Sequence, residues 1–212
     1  MCEEPLCAFC DTILGMATHL IVGLGNPTDQ YDGTRHNTGR MFVERLHATH
    51  DFAEWKEDKK PPMRWAKGSI VGKSSVLLQP NTFMNHSGRA VAHFIKSKKE
   101  AGNTVVVYDD MDLPLGTIKI SHGRSSGGHN GVESVINALK TKDFVRIRIG
   151  VSPKGAKGAV RKPKGEVRVL KFLLGKFTPG EITELKKVFK RAVEAVETIV
   201  TRGYQAAMTE FN

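Results

Sequence analysis

The sequence predicts an α/β fold: a single three-layer domain in which a central mixed, mostly parallel twisted sheet is flanked by helices. Segments with strand character alternate along the chain with segments whose apolar residues recur at helical spacing, as in such sheets. The chain has 212 residues, a length typical of one domain with a sizeable core. It contains no internal repeat and no linker-like stretch. We therefore assign residues 19–212 to one domain and residues 1–18 to a leader that is loose or not native.

Three strands and two helices are predicted in the first half of the chain. In order, they are a strand at 19–23, a helix at 38–50, a strand pair at 69–71 and 75–78, and a helix at 87–98. The strands are short apolar runs, and the pair is joined at Gly72 and Lys73. The first helix carries Met41, Phe42 and Leu46 at helical spacing, which favours one buried face.

Four strands and two helices are predicted in the second half. In order, they are strands at 104–108 and 117–121, a helix at 130–139, strands at 145–150 and 167–173, and a helix from 179 to about 203. Three consecutive valines favour a central strand at 104–108. Thr178 and Glu181 form a capping box that begins the last helix. Between Lys154 and Lys176 the chain is rich in basic residues, so we expect a mobile basic loop before strand 167–173.

The formal net charge of +10 favours a polyanionic partner, either a nucleic acid or an anionic membrane surface. No run approaches the roughly 18 apolar residues that a membrane-spanning helix needs, so we expect no membrane association through such a helix. Arg146 and Arg148 lie on one face of a predicted strand. They are compatible with a phosphate-binding pair and equally with an ordinary solvated face.

All three cysteines, Cys2, Cys7 and Cys10, lie in the leader, so no disulfide is available to the domain. This pattern suits a reducing compartment and predicts a cytoplasmic location. Cys7 and Cys10 form one C-x-x-C pair, whereas a structural zinc site normally needs four ligands. The leader is also a poor secretory signal, because it carries acids and lacks a basic start. Met16 is an alternative start of the native chain.

Four polar clusters interrupt the apolar pattern and are the candidates for chemistry. They are GLGNP at 23–27 with the following TRHN at 34–37, QPNTFMN at 79–85, YDDMDLP at 108–114, and SSGGHNG at 125–131. In open α/β sheets, ligands bind at the carboxyl ends of the strands. Asn26 and Asp109 both follow such ends, so we expect them to face one crevice.

The residue types in these clusters suit the attack of water on a polar acyl bond. A histidine paired with a carboxylate makes a general base, because the imidazole titrates near pH ~6.5 and the carboxylate stabilises its protonated form. Asparagine amides donate hydrogen bonds to a carbonyl or a developing oxyanion without adding charge. Glycines let a substrate approach the backbone closely.

Simpler interpretations of the same residues stay open at this point. His36 taken alone is more typical of a capping or surface residue, and asparagines often serve turn geometry. Asp109, Asp110 and Asp112 are also compatible with a magnesium or calcium site. The apolar residues that follow them, and the lack of a carboxylate partner elsewhere, argue against that metal site.

Two further motifs predict other enzyme classes less well. The G-x-G-x-x-T stretch at 23–28 resembles a dinucleotide fingerprint but lacks the third glycine. The G-x-S-x-G stretch at 123–127 matches a nucleophile elbow, which requires an acid and then a histidine downstream. His129 is the last of the eight histidines, so none follows Asp143 and a serine-hydrolase triad in that order is excluded.

Taken together, the clusters resemble the bacterial-type peptidyl-tRNA hydrolase family. The motifs that carry the resemblance are, in order, GLGNP, Y-x-x-T-R-H-N, TFMN-x-S-G, DDMDLP-x-G, GGHNG, R-x-R-I-G and LGKF-x-x-x-E. The resemblance runs from about Leu20 to the last helix. Each motif alone is weak, but seven in this order with close spacings are specific.

The resemblance implies roles for five residues at the reaction centre. His36 matches the base that activates water, and Asp109 matches the residue that keeps this histidine basic. Asn26 matches the asparagine that helps to distinguish blocked from free aminoacyl-tRNA. Asn85 and Asn130 match asparagines that hold the peptide backbone and the tRNA end.

Further residues are implied in substrate binding. Tyr31 and Phe83 match contacts to the tRNA end, and Arg148, with the strand at 119–121, lies where the family clamps phosphate. His129 and Met84 are expected to line the cleft. The sequence departs from the family at Arg124 and Ser126, which alter the lid over the peptide site, and in a longer basic stretch at 154–168, which we interpret as extra phosphate contact.

The implied activity is hydrolysis of the ester between a peptide, or an N-blocked amino acid, and tRNA, which recycles tRNA from stalled or abortive translation. The resemblance implies no metal and no cofactor, and we expect a cytoplasmic monomer. Two other functions stay open: a non-catalytic RNA-binding relative with the same fold, and a dinucleotide-dependent oxidoreductase.

Overall fold

A seven-stranded mixed sheet runs through the centre of the protein, in a computed structural model that describes residues 18–155, 160 and 162–212. The strands are β1 (His19–Gly23), β2 (Lys56–Lys59), β3 (Pro62–Ile70), β4 (Lys73–Pro80), β5 (Thr104–Pro114), β6 (Ile118–His122) and β7 (Val145–Ser152). The predicted leader, except Thr18, lies outside the described residues, and so does part of the predicted basic loop, at 156–159 and 161.

The strand order is β2-β3-β4-β1-β5-β7-β6, and its central four strands are mutually parallel. The outer pairings β2–β3, β3–β4 and β6–β7 are antiparallel. β2 therefore runs in the direction of the central four, and only β3 and β6 run the other way. The prediction of a mixed sheet is confirmed, and the parallel centre brings the carboxyl ends of β1 and β5 to the same edge.

Helices cover both faces of the sheet, which confirms the predicted three layers. They are α1 (Thr38–Thr49), α2 (Gly88–Phe94), α3 (Lys98–Ala101), α4 (Asn130–Leu139), α5 (Glu166–Leu173), α6 (Pro179–Arg202) and α7 (Tyr204–Phe211). Short 3₁₀ turns at Asp29–Tyr31, Arg35–Asn37 and Met84–His86 connect strands to helices near the candidate site.

Two apolar clusters form the core, one on each face of the sheet. Ile21 and Val105 point to the face covered by α1 and α6, whereas Val22 and Val106 point to the face covered by α2 and α4. This alternation follows from the pleat, which turns successive side chains to opposite faces. Because both faces are buried, the central strands consist of nearly continuous apolar runs.

The prediction of a strand at 167–173 is wrong, because these residues lie in helix α5. Val167 and Val169 favour a strand locally, but the amide of Val169 donates to the carbonyl of Gly165 in a helical bond of 3.0 Å. Phe172 and Leu173 are partly buried and pack against the core, so tertiary contacts override the local preference.

Other boundaries also differ from the prediction. The helix predicted at 87–98 ends at Phe94, because Ile95 is extended, and Ser97 caps the separate short helix α3. Strand β2 and helix α7 were not predicted. Both are short, and the charged β2 carries no apolar pattern that would indicate it.

Within the part of the chain that the structure describes, no helix is long and apolar enough to cross a membrane.

Candidate active site

The candidate site lies where β1 ends beside β5. Gly23, the last residue of β1, pairs with Val107 of β5, and beyond this pair β1 leaves the sheet while β5 continues to Pro114 against β7. Helix α1 approaches this edge closely at Gly39, where an added Cβ would collide with the carbonyl oxygen of Val107 and the backbone of Leu24. This contact brings the turn before α1, which carries His36, next to Asp109 in the second half of β5.

His36 and Asp109 form a buried pair. The Nδ1 atom of His36 lies 3.0 Å and 3.1 Å from the two carboxylate oxygens of Asp109. His36 is 9% exposed and Asp109 is 2% exposed. Asp109, which was predicted to face the crevice, therefore contacts His36 although the two residues are 73 positions apart in the sequence.

The pKa of each group is shifted toward its charged form. Burial lowers the pKa of the His36 imidazole, but the negative charge of Asp109 and its hydrogen bond raise that pKa by more, so it lies above its ordinary value. Burial raises the pKa of Asp109, but the charge of His36 and hydrogen bonds from His129 and His36 lower it to well below its usual range. Asp109 is therefore a carboxylate at neutral pH.

The geometry fixes which nitrogen of His36 can act as a base. A carboxylate only accepts hydrogen bonds, so the Nδ1 atom that faces Asp109 carries the proton. The Nε2 atom of neutral His36 then holds the lone pair. An imidazole in this tautomer, braced by a carboxylate, can take a proton from water.

His129 is a second histidine on the same carboxylate, closer to it than a cleft-lining role requires. Its Nε2 atom lies 3.3 Å from an oxygen of Asp109, and its Nδ1 atom accepts the amide of Val132 at 3.2 Å. The Nδ1 acceptor role places the proton on Nε2, which donates to Asp109. His129 thus caps α4 and supports Asp109 at once. Its ring also lies 5.2 Å from that of His36 and 4.7 Å from that of Tyr108.

Asn26 is held by two neighbours in a way that leaves one amide group to donate. Its side-chain oxygen accepts the backbone amide of Met84 at 2.9 Å. The side chain of Asn37 bonds both the amide and the carbonyl of Asn26, at 2.8 Å and 3.0 Å. With the Oδ1 atom occupied by Met84, the Nδ2 group is the donor that Asn26 can offer to a carbonyl or an oxyanion.

The remaining predicted residues around the cleft differ in exposure. Met84 is buried and packs against Gly131, where an added Cβ would collide with the Met84 sulfur. Asn85 and Asn130, next to this contact in the chain, are exposed, and so is the ring of Phe83, at 56%. Tyr31 is half-buried in the first 3₁₀ turn.

The contact between Met84 and Gly131 therefore brings together the second and fourth polar clusters, with exposed side chains that a substrate can reach.

Arg146 and Arg148 behave differently, although both point to one face of β7. Arg146 is 1% exposed, donates to the carbonyls of Arg124 and Ser125, and lies over the ring of Phe144 at 4.7 Å. Neither interpretation from the sequence describes it: it braces the segment that leads to His129. Arg148 pairs with Asp110 at 2.5 Å and lies directly opposite the exposed Lys119 of β6.

The three acids in the second half of β5 have separate partners. Asp109 bonds the two histidines, Asp110 pairs with Arg148, and Asp112 pairs with Lys162. This arrangement does not favour one magnesium or calcium site shared by these acids. A different set, His36, Asp109 and His129, offers ligand atoms within 4.8 Å of one another. In that set the Nδ1 atom of His36 and the Nε2 atom of His129 both lie at hydrogen-bond distance from one oxygen of Asp109. The three side chains therefore bond one another without an ion.

Two residues that flank His36 were not predicted from the sequence. Arg35 bonds Glu181 and two backbone carbonyls, and Asn37 bonds the backbone of Asn26. Both lie in the TRHN motif, which was the available signal. Only the histidine of that motif has an obvious chemical use, so its neighbours gave no separate indication of a role.

Comparisons with known proteins agree on one family. The family model described as "Peptidyl-tRNA hydrolase" matches residues 20–212. A peptidyl-tRNA hydrolase from Synechocystis sp. is 38% identical over 198 residues, which cover 93% of this chain and 97% of the relative. One from Thermotoga maritima is 39% identical over 194 residues, covering 91% and 96%.

A crystal structure of peptidyl-tRNA hydrolase from Acinetobacter baumannii superposes with a TM-score of 0.80 at 32% identity, covering 92% of this chain and 94% of that one.

Proposed function

The chain belongs to the peptidyl-tRNA hydrolase family, and from this premise we propose that it hydrolyses the ester bond between peptide and tRNA with water activated by His36. The products are free tRNA and a free peptide. The enzyme thus recycles tRNA from stalled or abortive translation, in the role of ribosome rescue, and residues 19–212 form the catalytic domain.

In the proposed mechanism, the Nε2 atom of His36 takes a proton from water as the water oxygen attacks the ester carbonyl. The resulting imidazolium is stabilised by the carboxylate of Asp109, 3.0 Å from Nδ1. The tetrahedral oxyanion then collapses, and the bond from carbon to the ribose oxygen breaks. The imidazolium returns its proton to that leaving oxygen, so His36 is neutral again.

The oxyanion needs hydrogen-bond donors, and the amide of Asn26 is the donor best placed by its surroundings. Its oxygen is occupied by the amide of Met84, which keeps the NH₂ end available. Donors fixed before the reaction stabilise developing charge without reorganising. Asn85 and Asn130, both exposed beside the contact between Met84 and Gly131, hold the peptide backbone and the tRNA end.

Recognition of tRNA rests on stacking and charge. The exposed ring of Phe83 and the half-buried Tyr31 offer surfaces for the terminal bases. Exposed Lys119 of β6 lies opposite Arg148 of β7, whose Nε atom is bound to Asp110, and these two basic side chains contact a phosphate in the proposed complex. Contacts of this kind carry no sequence information, which suits an enzyme that acts on many tRNAs.

The buried pair of His36 and Asp109 is the observation that carries this proposal. The experiment is single-turnover cleavage of N-blocked aminoacyl-tRNA by His36→Ala, with His93→Ala on the exposed side of α2 as the matched control. We expect the first variant to fold and to lose roughly 10²–10⁴ in rate, and the control to keep the wild-type rate. Cleavage by His36→Ala at the wild-type rate would contradict the assignment of His36 as the base.

A metal-assisted reaction is the alternative that the spacing of His36, Asp109 and His129 raises. We expect EDTA to leave turnover intact, because hydrogen bonds already satisfy these groups. Inhibition by EDTA that added metal reverses would favour the metal instead.

The two functions that sequence analysis left open are separated by simple assays. A non-catalytic RNA-binding relative would bind blocked aminoacyl-tRNA without turning it over, and a nicotinamide enzyme would show a thermal shift with its cofactor. We further propose that the protein acts as a monomer in the cytoplasm, which light scattering and fractionation test.

A further inference from the structure

The guanidinium of Arg35 is bound by the segment that joins α5 to α6. Its Nη2 atom lies 2.9 Å from both carboxylate oxygens of Glu181, and its Nη1 atom donates to the carbonyls of Gly175 and Lys176, each at 3.1 Å. The side chain is 11% exposed. We call residues 172–181 the α5–α6 junction.

Two aromatic rings of the junction enclose the same guanidinium. Its central carbon lies 4.6 Å from the ring centre of Phe172 and 5.2 Å from that of Phe177. Stacked contacts with bonds from both Nη atoms use the planar fork of arginine, which lysine does not reproduce. These bonds are charge-assisted and therefore stronger than neutral hydrogen bonds.

The backbone around Arg35 is joined to the same junction. The amide of Arg35 donates to the carbonyl of Gly175 at 3.1 Å, and the amide of Phe177 donates to that of Gly33 at 3.0 Å. Thr34 and Lys176 form an isolated antiparallel bridge. The chain just before His36 is therefore attached to the junction by both backbone and side chain.

The chain just after His36 is attached elsewhere. Asn37 bonds the amide and the carbonyl of Asn26 through its side chain. His36 thus stands between two anchored neighbours, one on the junction and one on the loop after β1. The backbone of a residue held on both sides has little freedom to carry its ring away from Asp109.

We propose that Arg35 is a positioning residue, which holds the turn carrying His36 against Asp109 by clamping it to the α5–α6 junction. This inference rests on the proposed role of His36 as the base. Arg35 does not touch the reacting atoms in this arrangement and acts only through His36. A reaction geometry that is misplaced by about 1 Å can cost about 10²-fold in rate, so a clamp of this kind matters for turnover.

The alternative role for an arginine here is contact with a tRNA phosphate, and the geometry argues against it. Nη1 and Nη2 are occupied by carbonyls and by Glu181, and Nε is buried. Glu181 also neutralises the charge. A phosphate would have to displace these partners to reach the guanidinium.

The test compares Arg35→Gln and Arg35→Lys with Arg202→Gln in the full chain. Arg202 forms an exposed ion pair with Glu210 at the far end of α6, about 30 Å along the helix from Glu181. Its loss removes the same charge and serves as the matched control.

We expect Arg35→Gln to lower kcat by roughly 10–100-fold, Arg35→Lys to lower it less, and Arg202→Gln to leave it unchanged. Active-site titration corrects for any unfolded fraction, so a variant that only loses folded protein keeps its kcat per active site, and that result would overturn the proposal.

Two further measurements separate positioning from other roles. If Arg35 contacts phosphate, its substitution should raise KM and reduce the salt dependence of KM. If Arg35 positions His36, its substitution should lower kcat and leave that salt dependence unchanged. NMR titration of the His36 ring gives a readout that is independent of activity. The titratable groups near this ring in the described structure are Asp109 on β5 and His129 before α4. The ion pair of Arg35 and Glu181 lies next to His36 along the chain, because Arg35 precedes it in the same 3₁₀ turn.

The sign of the His36 titration shift decides between the mechanisms. If the ring moves away from Asp109, its pKa falls in Arg35→Gln toward the ordinary value. Removal of a nearby positive charge alone would raise that pKa, and this outcome, or an unchanged pKa and kcat, overturns the proposal. If His36→Ala is also fully active, the proposed function fails as well, so the two failures are distinguishable.

Discussion

At the scale of single residues, the site depends on a carboxylate that is buried with two histidine donors. A buried carboxylate without partners would be costly, and removal of one partner from such a group is strongly destabilising. His36 and His129 approach the same oxygen of Asp109, at 3.0 Å and 3.3 Å. Asp109 thereby stays ionised beside His36, which is what a general base of this kind requires.

His129→Asn separates the two contacts of His129. Asparagine is a good helix cap, so the bond to the amide of Val132 can be replaced, but its side chain is too short to reach Asp109. We expect a lower melting temperature and kcat/KM lower by about tenfold, since a hydrogen bond to a buried charged group is lost. In His129→Ala the cap is lost too, so the melting temperature should fall further. An unchanged kcat/KM in the asparagine variant would remove His129 from the site.

The site residues were predictable to the extent that their chemistry stands out in the sequence. His36, Asp109 and Asn26 belong to motifs that carry the resemblance, and the structure brings all three to one edge of the sheet. Arg35 and Asn37 were not predicted, because their role depends on partners such as Glu181, which is 146 positions away. No local pattern indicates so distant a partner.

At the scale of elements, prediction succeeded where burial on one side sets a clear period. Helix α6 carries its capping box and a long apolar face, so its start at Pro179 could be predicted from Thr178 and Glu181. Helix α5 was predicted as a strand, because it has only two turns and its exposed Val167 and Leu170 obscure the helical period. Short elements depend on tertiary contacts that the sequence does not display.

Helix α7 illustrates such a contact, because it and the following Asn212 pack along β6, the outermost strand on one side of the sheet. The side chain of Asn212 bonds both the amide and the carbonyl of Ile120 on β6, at 2.6 Å and 3.0 Å. Tyr204 stacks on His122 at 4.3 Å. An uncovered edge strand is prone to pair with other chains, and these contacts cover part of β6.

We therefore expect Asn212→Ala to lower stability by about 1–3 kcal/mol, because two hydrogen bonds of β6 are lost. The melting temperature should fall by about 2–12 °C, as measured by circular dichroism. Asn137→Ala, on the exposed face of α4, is the matched control and should change stability by no more than about 0.5 kcal/mol. Equal melting of the two variants would refute the role given to Asn212.

At the scale of the whole molecule, the net charge of +10 matches a polyanionic substrate. The sheet places the histidine pair at one edge, and β6 and β7 carry the cationic pair of Lys119 and Arg148. Binding should release counterions from tRNA and weaken as salt rises. The three-layer fold was predictable from alternating strand and helix patterns, whereas the strand order was not, because it depends on contacts between distant segments.

Lys119→Gln tests the contribution of this pair. We expect KM for blocked aminoacyl-tRNA to rise and the slope of log KM against log salt to fall by about 1, with kcat unchanged. Lys99→Gln is the control, since Lys99 lies on α3 before the amino end of β5, at the opposite edge of the sheet. The same slope in both lysine variants would show that Lys119 does not contact phosphate.

The pH dependence of kcat/KM in the wild type and in Asp109→Asn tests the central claim most directly. His36 accepts a proton only when neutral, and its pKa is raised. The kcat/KM of the wild type should therefore rise with pH, with a midpoint above 6.5, the ordinary pKa of histidine. In Asp109→Asn the charge that raises the pKa is gone and burial lowers it, so the midpoint should move to lower pH while the plateau falls by roughly 10²–10⁴. A midpoint and plateau that do not change in this variant would contradict the pairing of His36 with Asp109 as the source of the base.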